Sequence, residues 1–489
     1  MLKKVKLHWF GISAILIVLL AFVLRFYNYQ NRFGLAYDQA HDALIARHAL
    51  SSGKLPLLGP FSSAGPFQTG GQWYWFIMLG TVFYPYSVIS PWVFLTLLYV
   101  LFVYLMIKLG AELIDKKFGI IVGILTAVSS AQITQGTNLT NQSPISLLSL
   151  AAIWSGVRYI REKKAKYIFL LGFFASMAAS IHLQGVALFF IVLLTLLILR
   201  YFRLKHIILL VCGIVLPLLP IIISDFGHNF FNIKNMLYYY LHDQYRISLD
   251  VLGRRWSTYI MSFWPQQWAH IIGGQKIIGL FLMLGVAIVL GLKIIKKSIS
   301  KEWILITAGF ASMLILLRYT RSVLFESYLV FTHPVVLLLS AVVIFELFKR
   351  SSLIALLSIA IIVLASLSKD FTEIKNATNY TSYYADSNSK FLLQKYPGKK
   401  FAIYDYKYKS TVRSLPLALY LEAAGAIDDK GMAIGVGPKD LLEGHEAVLN
   451  NEDTYKIVNL GSYGIKGSLN KDWYFANPSF IYHATEEWF

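Results

Sequence analysis

Cysteine is nearly absent from this chain. Cys212 is the single one in 489 residues and lies inside an apolar run, so disulfides and cysteine metal sites within one chain are excluded, and thiol usage carries no signal about redox compartment. Charge is scarce as well. Only 15% of residues are charged and 56% are hydrophobic, where a globular enzyme carries about a quarter charged. Acidic residues are the scarcer sign, 26 against 45 Lys and Arg. No repeat of fixed period and no low-complexity segment is present. Ionisable side chains are also missing from the middle of the apolar runs. Glu112, Glu302 and Glu346 fall near run ends, where snorkelling makes them cheap, so a mid-membrane proton relay or ion site is excluded.

What the chain does have is apolar runs of about 18 residues or more, each long enough to cross ~30 Å of hydrocarbon, recurring from the start to about residue 368. We read eleven spans: 7–24, 91–113, 118–134, 143–159, 167–181, 184–199, 207–224, 273–292, 302–317, 324–347 and 351–368. The segment from Trp73 to Tyr84 is too short to span and is expected to be re-entrant or interfacial. The net charge of +19 divides unevenly, about −2 from Asp370 onward and +21 before it. The basic excess sits in short loops, which is the signature of membrane topology and headgroup contact rather than nucleic-acid binding. Lys3, Lys4 and Lys6 place the N-terminus in the cytoplasm. The five internal basic clusters then fall on the same side, and loops 27–90 and 225–271 fall outside. Met1 to Leu24 has the look of a signal peptide. No small-residue cleavage site follows, so we read it as a retained first span.

Residues 370–489 change character. Phe401–Tyr404 and Tyr455–Leu460 read as strands, and Leu415–Ala424 as an amphipathic helix closed by Gly425. The expectation is therefore an all-α polytopic membrane domain, 1–369, followed by a small extracytoplasmic α/β domain, 370–489, in a bacterial plasma membrane.

Polar and aromatic residues gather in the two outer loops. Tyr37-Asp38-Gln39-Ala40-His41-Asp42 opens a helix, and positions 38, 41 and 42 share one face. Asp38 equally suits an N-cap, and Asp42 the helix dipole. A Gly/Pro/Ser stretch leads to Gln72-Trp73-Tyr74-Trp75. The second loop carries Asp225, His228, Asn232, Tyr238 to Tyr240 and Arg246, a mix able to hold a phosphate and stack a sugar, although tyrosine also belongs at headgroup depth. His182, Arg318, Arg321 and Glu326 sit at outer span ends. Arginine there runs against the orientation rule, and either a lipid phosphate or ordinary headgroups would account for it.

The chain resembles the GT-C membrane glycosyltransferases, most closely the protein O-mannosyltransferase and aminoarabinose-transferase branch, family 39. The resemblance covers roughly residues 7 to 370. It rests on one span followed by a large outer loop with Asp38 heading a helix, on the aromatic Gln72 to Trp75, on Asn141-Gln142-Ser143-Pro144 entering a span, and on the stretch from Tyr328 to Pro334. The family pattern is Asp-Glu-x-x-x-Tyr, and here Gln39 replaces the Glu. The resemblance implies transfer of a sugar from a polyprenyl-phosphate donor to a lipid, glycan or protein acceptor, with Asp38 as the catalytic carboxylate. His41, Asp42, Gln72, Tyr74, His182, Arg246, Arg318, Arg321 and Glu326 are then the candidate substrate contacts. A divalent metal ion could sit at Asp38 and Asp42, although the loss of the Glu weakens that role and Asp42, one turn on, would have to compensate. The rival reading, a transporter or flippase of lipid-linked sugars or polysaccharide, calls for polar mid-membrane residues and two equivalent halves. Neither is seen.

Overall fold

The computed structural model describes residues 2–62, 65–199, 203–242, 255–318, 326–407, 409, 411–442, 447–449, 455–461 and 473–477. Each of the eleven expected spans falls on helix. Among the described residues, six helices are long and apolar enough to cross a membrane by length and composition alone, and a bent pair, taken as one span, makes a seventh. The remaining four are shorter, such as Ala165–Ile181, or carry charges at their ends, such as Ile145–Glu162.

One span departs from the expected 118–134. It is two helices, Lys116–Ala127 and Ser130–Thr137, bent by 57°. The break leaves helix carbonyls without partners, and lipid offers none. Arg25, fully buried at the end of the first span, donates to the carbonyls of Ala127 at 3.2 Å and Thr126 at 3.4 Å. Ser366 donates to the carbonyl of Val128. A cation at a helix C-terminus also opposes the helix dipole favourably. Arg25 is thus a cap inside the protein.

Ion pairs gather the basic clusters on one face. Arg158 meets Glu112 at 2.6 Å, Arg161 meets Glu302 at 2.7 Å, and Lys293 meets Glu346 at 3.0 Å. The first loop packs against the described part of the second and against the described part of the tail. Residues 58–61 and 68–70 form an antiparallel hairpin. Gln68 N–H donates to Asn232 Oδ1 at 2.8 Å, and Asn235 donates to the carbonyl of Pro66 at 2.9 Å, so helix Phe231–His242 of the second loop lies on the first loop. The Gln72–Phe83 helix has 12 residues, about 18 Å, and does not span.

The last span runs as one helix, Ser352–Asn376, past the expected division at 369/370. The tail has a five-stranded sheet. In order across it, the strands are Ala447–Leu449, Tyr455–Gly461, Met432–Pro438, Phe401–Tyr406 and Trp473–Phe475. Phe401–Tyr406 and Met432–Pro438 are parallel, which requires a crossover, and helix Thr411–Ala423 supplies it. Gly425, at φ +67°, turns the chain after that helix. The crossover helix packs on the first-loop helix Tyr37–Ser52, so Leu415, Leu417 and Leu419 share one apolar core with Ala40, Leu44 and Ile45.

Replacing Arg25 by Met strips the broken span of its cap. We expect a loss of about 1–3 kcal/mol, read as a lower unfolding temperature in detergent, with Arg25→Lys losing less. An unchanged temperature for Arg25→Met would remove the capping role.

Candidate active site

The Tyr37–Ser52 helix positions the expected carboxylates. Its start is closed by Gln39 rather than by Asp38. The Gln39 Oε1 accepts from Ala36 N–H at 3.1 Å, and its amide donates to Asn138 Oδ1 at 3.0 Å. The residue that replaces the family's Glu therefore ties the helix start to the end of the broken span. A carboxylate would lack the donor for Asn138 Oδ1.

Freed from capping, Asp38 is exposed at the helix mouth. Surrounding protein desolvates its carboxyl, and Asp42 adds repulsion, so it is held above the ordinary aspartate range, with His41 pulling the other way. Asp42, one turn on, is 6% exposed. Its Oδ2 accepts from Trp73 Nε1 at 2.6 Å, and its Oδ1 meets His41 Nδ1 at 3.0 Å. The Tyr37 ring stacks on His41 at 5.9 Å. Tyr74 is buried, and its hydroxyl lies near Asp42 without reaching hydrogen-bond geometry. Burial first, then Asp42, push its phenol well above the ordinary value.

Gln72 is spent on the scaffold. Its amide donates to the carbonyl of Pro217, and its Oε1 accepts from Ser180 Oγ at 2.9 Å. Two residues beyond Ser180, His182 Nδ1 accepts from Gln184 N–H at 3.3 Å, with Gln142 at 3.3 Å from Nε2 and the Tyr328 ring at 5.6 Å. Burial pulls this imidazole down to about 4, so it is neutral at physiological pH. Through Gln39–Asn138 on one side and Gln72–Ser180 on the other, the Asp38 helix and the His182 group are fastened to the same outer rim.

Arg318 and Glu326 have separate partners. The Arg318 guanidinium lies 5.4 Å over the Trp256 ring, and Glu326 faces His270 Nε2 at 3.4 Å. Arg246 and Arg321 lie outside the described residues. In the second loop, Asp225 accepts from Asn232 N–H at 3.0 Å and Ile233 N–H at 2.9 Å, so it caps the helix that follows. Among the described residues, no three His, Cys, Asp or Glu side chains come together as a metal-binding group. Both oxygens of Asp42 are already engaged, so Asp38 and Asp42 do not make a ready ion site.

Trp73, the partner of Asp42, is the residue the sequence pattern did not single out for chemistry. It stood within an aromatic cluster that fits membrane-surface anchoring equally well. The spacing between Asp42 and Trp73, 31 residues, carries no local periodicity.

These features define a polytopic membrane protein with the GT-C fold, in which a juxtamembrane helix carries an exposed Asp and a small domain covers that helix. In particular, the chain is similar to ArnT, the aminoarabinose transferase, from Cupriavidus metallidurans. With the apo structure it shares a TM-score of 0.64 at 10% identity, over 94% of this chain and 98% of that one. With ArnT bound to undecaprenyl phosphate the values are 0.65, 12%, 93% and 98%. The Archaeoglobus fulgidus oligosaccharyltransferase in its apo form matches at 0.53 and 13%, over 84% of this chain and 64% of that one. The GT-C resemblance is thereby borne out as a fold. No family model matches the chain, and comparison with curated proteins gave no match.

Trp73→Phe keeps the ring and removes the donor from a buried carboxylate. We expect a destabilisation of about 1.5–3 kcal/mol, seen as a lower unfolding temperature. Stability equal to the parent's would mean that Asp42 does not depend on Trp73.

Proposed function

We propose that the protein is a glycosyltransferase that moves a sugar from a polyprenyl-phosphate donor to a lipid, glycan or protein acceptor at the extracytoplasmic face, with inversion at the anomeric carbon. The observation that carries this reading is Asp38. It is an exposed carboxylate at the mouth of a rigidly held helix, in the loop that packs against the described parts of the second loop and the tail. The fold likeness to a protein crystallised with undecaprenyl phosphate supports a donor of that class.

The chemistry follows from the carboxylate's place and charge. The bond between the anomeric carbon and the phosphate oxygen breaks, and its electrons stay with the polyprenyl phosphate. The acceptor hydroxyl attacks the opposite face of a carbon with oxocarbenium character, and its proton passes to Asp38. A carboxyl held above the usual range is a stronger base toward that proton than a free aspartate. Arg246, Arg318 and Arg321 are the candidates for meeting the leaving phosphate. An outer-surface site suits a donor dissolved in the bilayer, since the lipid tail need not leave the membrane.

Radiolabelled undecaprenyl-phosphate hexoses offered to purified protein in lipid test this reading. Asp38→Asn should lower transfer by about 10²–10⁴-fold. Because the Asp38 carboxyl is shifted upward, the acid limb of the rate should lie above the ordinary aspartate value of about 4. In Asp42→Asn the repulsion is gone, so the limb should move to lower pH. Full transfer by Asp38→Asn would remove it as the base, and an unmoved limb in Asp42→Asn would separate the two carboxylates electrostatically.

A further inference from the structure

The face that presents Asp38 also carries a second proton-accepting atom. Asp42 takes one hydrogen bond from the Trp73 indole, which can only donate, and faces His41 Nδ1 with its other oxygen. An ionised carboxylate accepts only, so in its neutral form the His41 ring carries its hydrogen on Nδ1 toward Asp42 and presents Nε2 as an acceptor. The His41 side chain is 21% exposed. Among the described residues, Asp42 meets its Nδ1 and the Tyr37 ring stacks on it.

Asp38 and His41 are three residues apart on one helix, which sets their side-chain origins about 5–6 Å apart on the same face. Two acceptors carried side by side on one helix face match a substrate that brings two neighbouring hydroxyl donors. The charge of this face argues for the same kind of occupant. Asp38 and Asp42 stand within one turn, so the face repels the donor's phosphate and favours a neutral group rich in O–H.

On the reading that this is a glycosyltransferase, we infer that the Asp38–His41 face is the acceptor subsite and that the acceptor is a glycan with adjacent ring hydroxyls. One hydroxyl donates to His41 Nε2 and is held there. Its neighbour lies against Asp38, gives up its proton to that carboxylate and forms the new bond to the anomeric carbon. His41 is a positioning residue, oriented in turn by Asp42 and Trp73. A serine or threonine side chain brings one hydroxyl and leaves Nε2 unmet.

Linkage analysis by mass spectrometry, on envelope glycans, glycolipids and glycoproteins of cells with and without the protein, tests this directly. The expected result is loss of a sugar attached to a ring hydroxyl whose neighbour is free. A missing sugar attached to serine, threonine or an isolated lipid hydroxyl would overturn the inference while leaving the transferase reading intact. If nothing is missing, the transferase reading falls and the subsite with it. Returning His41→Phe to the deletion strain keeps a ring against Tyr37 but removes the acceptor atom, and it should lower product about tenfold. His41→Gln, which restores an acceptor oxygen and a donor toward Asp42, should recover part of it. Equal product from the parent and His41→Phe, at equal protein level in the membrane, would show that His41 does not hold the acceptor.

Discussion

A buried carboxylate is costly unless donors meet its oxygens. Asp42 is such a group, and the outer architecture is arranged around keeping it satisfied. Its bond to Trp73 joins the helix that carries Asp38 to the short helix Gln72–Phe83. That short helix is fastened by Gln72 to Ser180 and to the carbonyl of Pro217, in a stretch where Pro217 and Pro220 deprive the span of two of its own donors. The same carboxylate fixes the orientation of His41 and raises the affinity of Asp38 for a proton. One desolvated charge therefore couples the placing of the loop, the anchoring of two spans and the electrostatics of the open site.

The polar residues at the outer ends of the spans follow a common rule. Where helices stop or break in a low-dielectric surround, their free carbonyls and amides must find side chains. Arg25 and Ser366 serve the broken span, Arg32 serves the end of the first span through the carbonyls of Leu24, Arg25 and Tyr27, and Asp225 serves the start of the second-loop helix. Asp370, buried near the break, is bound by Ser130 and Ser366. Much of what reads as a reservoir of catalytic or phosphate-binding groups is thus occupied in holding backbone. Asp38 stands out because Gln39 takes over the helix start and leaves it free.

The apolar runs made the spans legible, because a length of about 20 apolar residues is set by the bilayer alone. The strands and helix of the tail were legible for the same local reason, with Gly425 marking the turn. The bend at Val128–Ser129 was not, since no proline or glycine stands there, and the cause is a set of distant partners: Arg25, Ser366 and Ile271. The even balance between capping and catalysis at Asp38 could not be resolved from spacing either. It turned on Asn138, a hundred residues away, whose side chain holds Gln39. Gln72 and Asp225 look like ligands in the sequence for the same reason that makes them good scaffold, which is that amides and carboxylates bind backbone as readily as substrate.

The Asp38 helix has no single apolar face. Gln39, Asp42 and Arg47 are buried on it along with Ala40, Leu44 and Ile45, so it is covered on more than one side. The Gln72–Phe83 helix covers one side of it, and the tail's crossover helix covers another. Arg47 closes the far part by donating to the carbonyls of Pro85 and Ser87 at 2.7 and 2.8 Å, with Glu422 of the tail as its charge partner. An amphipathic helix would rest in place on one surface, whereas this one requires both. The tail is therefore part of what forms the site, whatever else it binds, and the helix is left open at its N-terminal mouth. That opening is where Asp38 and His41 stand.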